Sequence, residues 1–439
     1  MDNDLAEATA DRYDIVVLGA GYAGMMAALR LSGPRLGLSV LLVNAENAFV
    51  ERVRLQESMV TAVVPRIASL SQYLRRTPIK FICARVISLD PAKRAVSLET
   101  DGQCREIRFT QAIYTLGSRV DVENTPGAAD YTYRLDAGDG PRGAAGLRHA
   151  LRDLDGQRAH IVAVGGGALS VEAAAEAKSA WPQLDVTVIS ATRAGDFKDA
   201  KVESALRGGL ERLGVNLIDN TKVLQIGSRT LVTSQGQRLS YDLCIWAAGM
   251  RSPPIARDAG LEVDEHGRVL VDPHLRSVSH PFILAAGDCA HPIAPTGAPY
   301  RLSALTAAVS GVYAGEEAAA PADRQLPPFS FSTFAQAVAV GRYAAVFPLD
   351  QNDKPILFVL RGRIATHIRR VLIWLVLHFI TLERYFPGLQ SWPGRHRVSQ
   401  EEADAFLEQS PQRPERSQTP EAPKRIAAAT PRRTRQRSA

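Results

Sequence analysis

Two short glycine-bearing segments are the places where residue type and spacing in this chain point to chemistry. The first, GAGYAG, sets Gly19, Gly21 and Gly24 around Ala20; the second, GGGALS, sets Gly165 and Gly167 ahead of Ser170. Glycine at the first position of such a segment permits a tight turn, and glycine at the second lets the backbone approach a diphosphate. A small third residue lets the following helix lie close against the strand, which is why Ser170 is tolerated where Gly24 stands in the other segment. The free N–H groups and positive dipole of each helix start then face phosphate oxygens. Gly19, Ala20, Gly21 and Gly24 are candidate contacts to one dinucleotide, and Gly165, Gly167 and Ser170 to a second. Two such sites side by side suit hydride transfer between bound cofactors, with the protein supplying orientation and a dry gap.

The elements that must hold these turns stand on either side of them. YDIVVL (13–18) is an apolar, β-branched run of the kind buried in a parallel sheet, and MMAALRLS (25–32) is a good helix former. HIVAV (160–164) and VEAAAEAKSA (171–180) flank the second segment in the same way. The next strand in each unit ends where a ribose would be read. In the first unit that place is Asn44, with Glu46 two positions on; an amide binds a hydroxyl, though less strongly than a carboxylate. In the second it is Ser190, so no acid repels a 2′-phosphate, and Arg193 follows three residues later. Arg193 reads either as a phosphate partner or as a solvated loop residue, and the site accepts NADPH or NADH.

A third feature is HPFILAAGDCA, which places Gly287 and Asp288 at the end of an apolar strand. A glycine followed by an acid there suits a flavin ribityl chain, whose hydroxyls need an acceptor near close-lying backbone. Two further strand-to-glycine breaks fall at Gly117 and Gly249, where the chain would cross between domains. In this order the features resemble the FAD-dependent pyridine-nucleotide oxidoreductase superfamily. The nearest resemblance is to the type II NADH dehydrogenase-like branch, which includes the apoptosis-inducing-factor-like quinone reductases. FVERVRLQE (49–57), GGGALSVEAAAE (165–176), AAGDCA (285–290) and ERYFPGLQSWPG (383–394) carry it.

The resemblance implies an α/β fold with two Rossmann-like dinucleotide-binding domains. An FAD domain (12–125 and 250–326) is split by an inserted NAD(P) domain (126–249), and a small α+β region with an apolar helix follows (327–395). It further implies that the glycines of the first turn, the Arg52 and Arg54 region, Val86 and Asp288 contact FAD. Gly165, Gly167 and Glu172 would border the nicotinamide. Glu172 is the candidate catalytic group, ordering the carboxamide or relaying a proton, or else a first-turn acid that complements the helix dipole. Where the branch carries a glutamine near the flavin edge this chain has Leu305, followed by Thr306, on the expected substrate side. The electron acceptor is then a quinone or another small molecule. Oxygen or a biosynthetic intermediate, and a redox-sensing binding protein, are the other readings.

Composition narrows the rest. With 439 residues, 46% hydrophobic and 22% charged, the chain can build two or three cores. Its net charge of +6 is matched by the segment from Pro411 onward, where Lys and Arg outnumber Glu in a Pro-, Arg- and Ala-rich tail expected to be disordered (396–439), as are residues 1–11. Specific nucleic-acid binding is not indicated. The four cysteines are scattered without a CxxC pair, which disfavours a redox dithiol and a metal site. No apolar leader opens the chain, so a cytoplasmic protein is expected. A helix predicted over 364–386 holds an unbroken apolar run (371–377) too short to span a bilayer. Arg369, Arg370 and Arg384 bracket it, so it suits either a membrane interface on the cytoplasmic face or burial against the FAD domain or a homodimer partner. His378 within it reads as a packing residue.

Overall fold

The computed structural model describes residues 11–33, 36–61, 67–136, 140–197, 199–296, 300–321, 324, 326–350, 352, 354–356, 358–391 and 397–409. Residues 1–10 and the tail from 410 fall outside the described residues, as does the WPG end of ERYFPGLQSWPG. Part of the tail expected to be disordered (396–439) is ordered: Gln400–Gln409 is a helix. A reciprocal pair starts it, in which the Glu402 N–H donates to the Ser399 hydroxyl and the Ser399 N–H to the Glu402 carboxylate. Asp11 is already part of the first strand, Asp11–Leu18.

That strand is buried along VVL and pairs in parallel with Val40–Asn44 on one side and with Gln103–Tyr114 on the other. Lys80–Cys83 extends the parallel sheet, and an antiparallel meander, Arg85–Asp90 and Ala95–Thr100, folds back on the long Gln103–Tyr114 strand. The remaining partner comes from far along the chain: Ile283–Ala285 adds in parallel beside Ala112–Tyr114. The first unit is thus completed only after the second has been built. Helix Tyr22–Leu31 crosses helix Ala304–Ala319 at close range because the facing residues are small. A Cβ on Gly311 would stand 2.2 Å from the Ala23 carbonyl oxygen, and one on Gly315 would stand 2.8 Å from that of Ala27.

The second unit is a four-stranded parallel sheet in the order Val215–Ile218, Asp185–Ile189, His160–Val164, Leu243–Trp246, with a three-stranded antiparallel ribbon beside it. Its strands are buried because helices Ala168–Ala180 and Ala200–Leu213 cover them. The chain enters and leaves this unit through paired segments, Arg119–Val120 running antiparallel to Met250–Arg251. This is the doubly dinucleotide-binding α/β architecture expected from the sequence.

The C-terminal region holds three antiparallel strands, Ala335–Val340, Tyr343–Pro348 and Leu360–Arg361, then helix Gly362–Tyr385. The first of these strands begins only after Phe334, and the third is two residues long. The helix is 24 residues long and buries one face, Ala365, Arg369, Leu377, Ile380 and Glu383. Two buried ion pairs fasten it. Arg30 of the first helix meets Glu383 at 2.6 Å, and Arg369 meets Glu172 of the second unit at 3.4 Å and Glu57 at 3.3 Å.

Candidate functional site

The first turn performs the three tasks its glycines imply. Gly19 has φ +99°, and a Cβ there would lie 2.5 Å from the Thr115 carbonyl oxygen. A Cβ on Gly24 would stand 1.7 Å from the Gly19 oxygen, so helix and strand touch through backbone alone. Gly21 is the cap residue of helix Tyr22–Leu31; no side chain caps it, and nothing lies within 4 Å of where its Cβ would be. The second turn repeats this layout. Gly165 has φ +135° and a Cβ there would lie 2.6 Å from the Ala247 oxygen, whereas Gly167 caps its helix without a side-chain partner and faces open space. Helices Ala200–Leu213 and Ala304–Ala319, in contrast, are capped by Asp199 and Ser303 side chains. Uncapped amide ends behind open space are what a diphosphate requires, so the residues present fit two dinucleotides.

Asn44 is positioned differently from its expected ribose role. Its Oδ1 accepts from the Ala20 N–H at 3.0 Å and its Nδ2 donates to the Glu46 oxygen at 2.8 Å, so its amide ties the turn to the strand end. Val86 is a buried core residue two positions beyond Ala84, whose N–H donates to the Asn44 oxygen at 2.8 Å. It therefore lies at the strand ends beside the first turn. In the second unit Ser170, fully buried, directs its hydroxyl to the Gly165 oxygen at 2.6 Å and the Gly167 oxygen at 2.9 Å. Ser190 packs beneath the turn: a Cβ on Gly166 would stand 2.2 Å from its Oγ. The middle glycine of GGG is thus a third required position, which the two-glycine reading overlooked.

Gly287 and Asp288 join the two units. Gly287 has φ +77° and sits against the first helix, where its Cβ would lie 3.0 Å from that of Ala23. Its N–H donates to the Ser310 Oγ at 3.0 Å. Asp288, the next residue, accepts from the Ser118 hydroxyl at 2.9 Å. It also lines a cavity of about 670 Å³ together with Gly165, Gly167, Ser190 and Gly249. One dipeptide therefore reaches from the first turn into the space in front of the second. Gly117 (φ +67°) and Gly249 (φ +75°) lie at the crossover; a Cβ on Gly249 would crowd that of Asp121 at 3.2 Å. Arg52 donates to the Ser118 oxygen at 2.7 Å and pairs with Asp136 at 2.7 Å, which pins the crossover loop.

Five expected site residues lie elsewhere. Arg54 is engaged by Glu57 at 2.7 Å and Glu51 at 3.4 Å, and the Glu57 hydrogen bond raises its pKa. It lines a separate cavity of about 570 Å³ beneath the C-terminal helix. Glu172 does not border the shared cavity: it is buried and accepts from the Ala339 N–H at 2.8 Å and from Arg369. Burial raises its pKa, with Arg369 opposing. Packing of its helix against strand Ala335–Val340 is what turns the carboxylate toward the C-terminal region. Leu305 packs on the first core, and Thr306 accepts from the capping Ser303 hydroxyl at 2.8 Å, so neither lines either cavity. Arg193 donates from its Nε to Glu203 at 2.6 Å, which raises its pKa, and it does not line the cavity of about 670 Å³.

Cys289 is buried beside Asp288, with Sγ 3.4 Å from the Tyr114 and Ala286 oxygens, and burial pushes its thiol up to about 12. No second cysteine lies near enough in sequence or sheet to pair with it among the described residues. His378 stacks on Trp374 with ring centroids 3.5 Å apart, consistent with a packing residue.

With this geometry in place, comparison with known proteins identifies the class. Residues 13–311 match the family model described as pyridine nucleotide-disulphide oxidoreductase, so the chain belongs to that family and is an NAD(P)H-dependent oxidoreductase. It is 26% identical over 299 residues to an NADH dehydrogenase-like protein of Mycobacterium tuberculosis, spanning 63% of this chain and 72% of that one. It is 27% identical over 231 residues to a type II NADH:quinone oxidoreductase of Haemophilus influenzae, spanning 44% and 51%. Among solved structures, NDH2 from Plasmodium falciparum in complex with NADH superposes with a TM-score of 0.68 at 15% identity, over 88% of this chain and all of that one.

Proposed function

We propose that this chain holds FAD on its first glycine turn and NADPH or NADH on its second, and reduces a quinone with the electrons of the nicotinamide. The supporting observation is the Gly287–Asp288 pair: Gly287 stands against the first helix, and Asp288, the next residue, lines the second turn's cavity. Bound FAD would supply the two-electron acceptor for the nicotinamide hydride. The chain's own residues do the positioning. Gly21 and Gly167 open their helix ends to the diphosphates. Asp288, held by Ser118, offers a carboxylate to ribityl hydroxyls.

The cavity of about 570 Å³ is our candidate acceptor site. It combines Ile373, Trp374 and Leu377 with Arg54, Arg369 and Glu176, an apolar wall with polar groups able to hold a quinone carbonyl. Burial, with Glu57 adding to it, pushes the Glu176 carboxyl up to about 7, where it can hold or yield a proton. The helix above this cavity exposes Ile364, Val371, Trp374, Leu382 and Tyr385 opposite its buried face. By length and a mean hydropathy of 1.4 it is long and apolar enough to cross a membrane, more so than its short unbroken run indicated. A one-sided apolar face flanked by Arg363, Arg370 and Arg384 favours lying in the membrane interface instead, where a lipid-soluble acceptor would enter.

Purified protein should carry yellow flavin absorbance that bleaches under anaerobic NADPH or NADH and returns on adding a short-chain quinone. Turnover in air at full rate without quinone would move the acceptor to oxygen, and absence of flavin would end the reading altogether.

A further inference from the structure

Ser190 closes strand Asp185–Ile189 with no carboxylate, and Arg193 is removed from the cavity by Glu203. Arg193, Glu203, Arg207 and Asp219 form a self-neutralising cluster behind the loop: Glu203 bridges both arginines, and Arg207 meets Asp219 at 2.8 Å. No positive charge from that cluster is left over for a ligand.

The next chain segment comes directly alongside. Thr221 donates its N–H to the Ser190 oxygen at 2.8 Å, and Asn220 donates to the Thr192 oxygen at 2.8 Å. Lys222 follows at once, and its backbone is fixed on both sides by Ser234. It is exposed and lines the same cavity as Gly165, Gly167, Ser190 and Thr192. No carboxylate pairs with Lys222 among the described residues.

We propose that Lys222 is the specificity-determining residue for the nicotinamide cofactor: its ammonium binds the 2′-phosphate of NADPH, and the chain prefers NADPH to NADH. This rests on the second turn being the nicotinamide site. A missing acid at Ser190 makes a 2′-phosphate acceptable, and a free ammonium one hydrogen-bonded loop away makes it favourable. A point charge on a flexible stem suits a phosphate reached from the side, where a bidentate arginine fork is not required.

The test uses the full chain and two fragments, 2′,5′-ADP and 5′-AMP, titrated by calorimetry alongside NADPH bleaching of the flavin. The wild-type chain should bind 2′,5′-ADP about tenfold more tightly than 5′-AMP. Lys222→Ala should remove most of that difference and leave 5′-AMP binding unchanged, whereas Arg193→Ala should leave both affinities as they were. Equal or undetectable affinities for the two fragments in the wild-type chain would overturn the assignment. So would a loss of preference at Arg193→Ala in place of Lys222→Ala. Fragment affinities do not depend on flavin reduction, so a chain that discriminates the fragments but never bleaches would sink the hydride reading alone.

Discussion

The two glycine turns share one strand, turn and helix order, yet different neighbours hold them. At the first, bare backbone contact at Gly24 closes the packing and Asn44 secures the Ala20 N–H. At the second, the Ser170 hydroxyl clasps two turn carbonyls while Ser190 fills the space under Gly166. In each unit the residue at the strand end is spent on the turn itself. On the proposed function, ribose recognition falls to the loops beside each strand end. The helices that follow differ in charge as well. The first sends Arg30 to Glu383 of the C-terminal helix, and the second sends Glu172 to Arg369.

The largest expected effects come from breaking those two clasps. Arg369→Ala leaves Glu172 buried without its cation and Arg30→Ala does the same to Glu383, so each should cost about 3–5 kcal/mol in urea unfolding. If only one variant loses stability, the C-terminal helix hangs from a single unit. Gly24→Ala forces a methyl into the Gly19 carbonyl and should cost about 3 kcal/mol, against about 1–2 kcal/mol for Ser170→Gly, which loses hydroxyl bonds and stiffens nothing. Equal losses would mean that the turns are packed alike.

A pH series probes the second helix further. The Glu176 carboxyl ordinarily titrates near 4.5 and is raised to about 7 here, so the folded chain favours the protonated form. Its stabilising contribution is complete below the ordinary value and is lost as pH climbs through about 7. Glu176→Gln should retain it, giving a Tm above wild type by about 2–4 °C at about pH 8 and little difference at about pH 4. A Tm gap that does not change with pH would show that the carboxyl is not held in that state. The smallest effect on folding belongs to Gly21→Ala and Gly167→Ala, within about 1 kcal/mol of wild type because their Cβ positions are open. Each should lose a different ligand: flavin content falls in the first, and affinity for the NADPH fragment falls in the second.

Both turns were legible in the sequence because a glycine turn is a local device: the strand before it and the helix after it lie within about twenty residues. Gly287 and Asp288 were legible for the same reason. What escaped was set by partners distant in sequence. Glu172 looks like a cofactor-facing acid until Arg369 arrives from the C-terminal helix. Arg193 looks like a phosphate ligand until Glu203 turns it aside, and Lys222 gains meaning only once Thr221 bonds to Ser190. Leu305 and Thr306 were placed by resemblance to a helix start that Ser303 caps inward.

Arg369 and Glu383 lie on one face of the C-terminal helix, about 21 Å apart along its axis at 1.5 Å per residue. Docked end for end, that helix would set arginine against Arg30 and glutamate against Glu172, two like-charge meetings away from water. Its direction is therefore encoded in charge, and so is which end of the helix lies over which nucleotide unit.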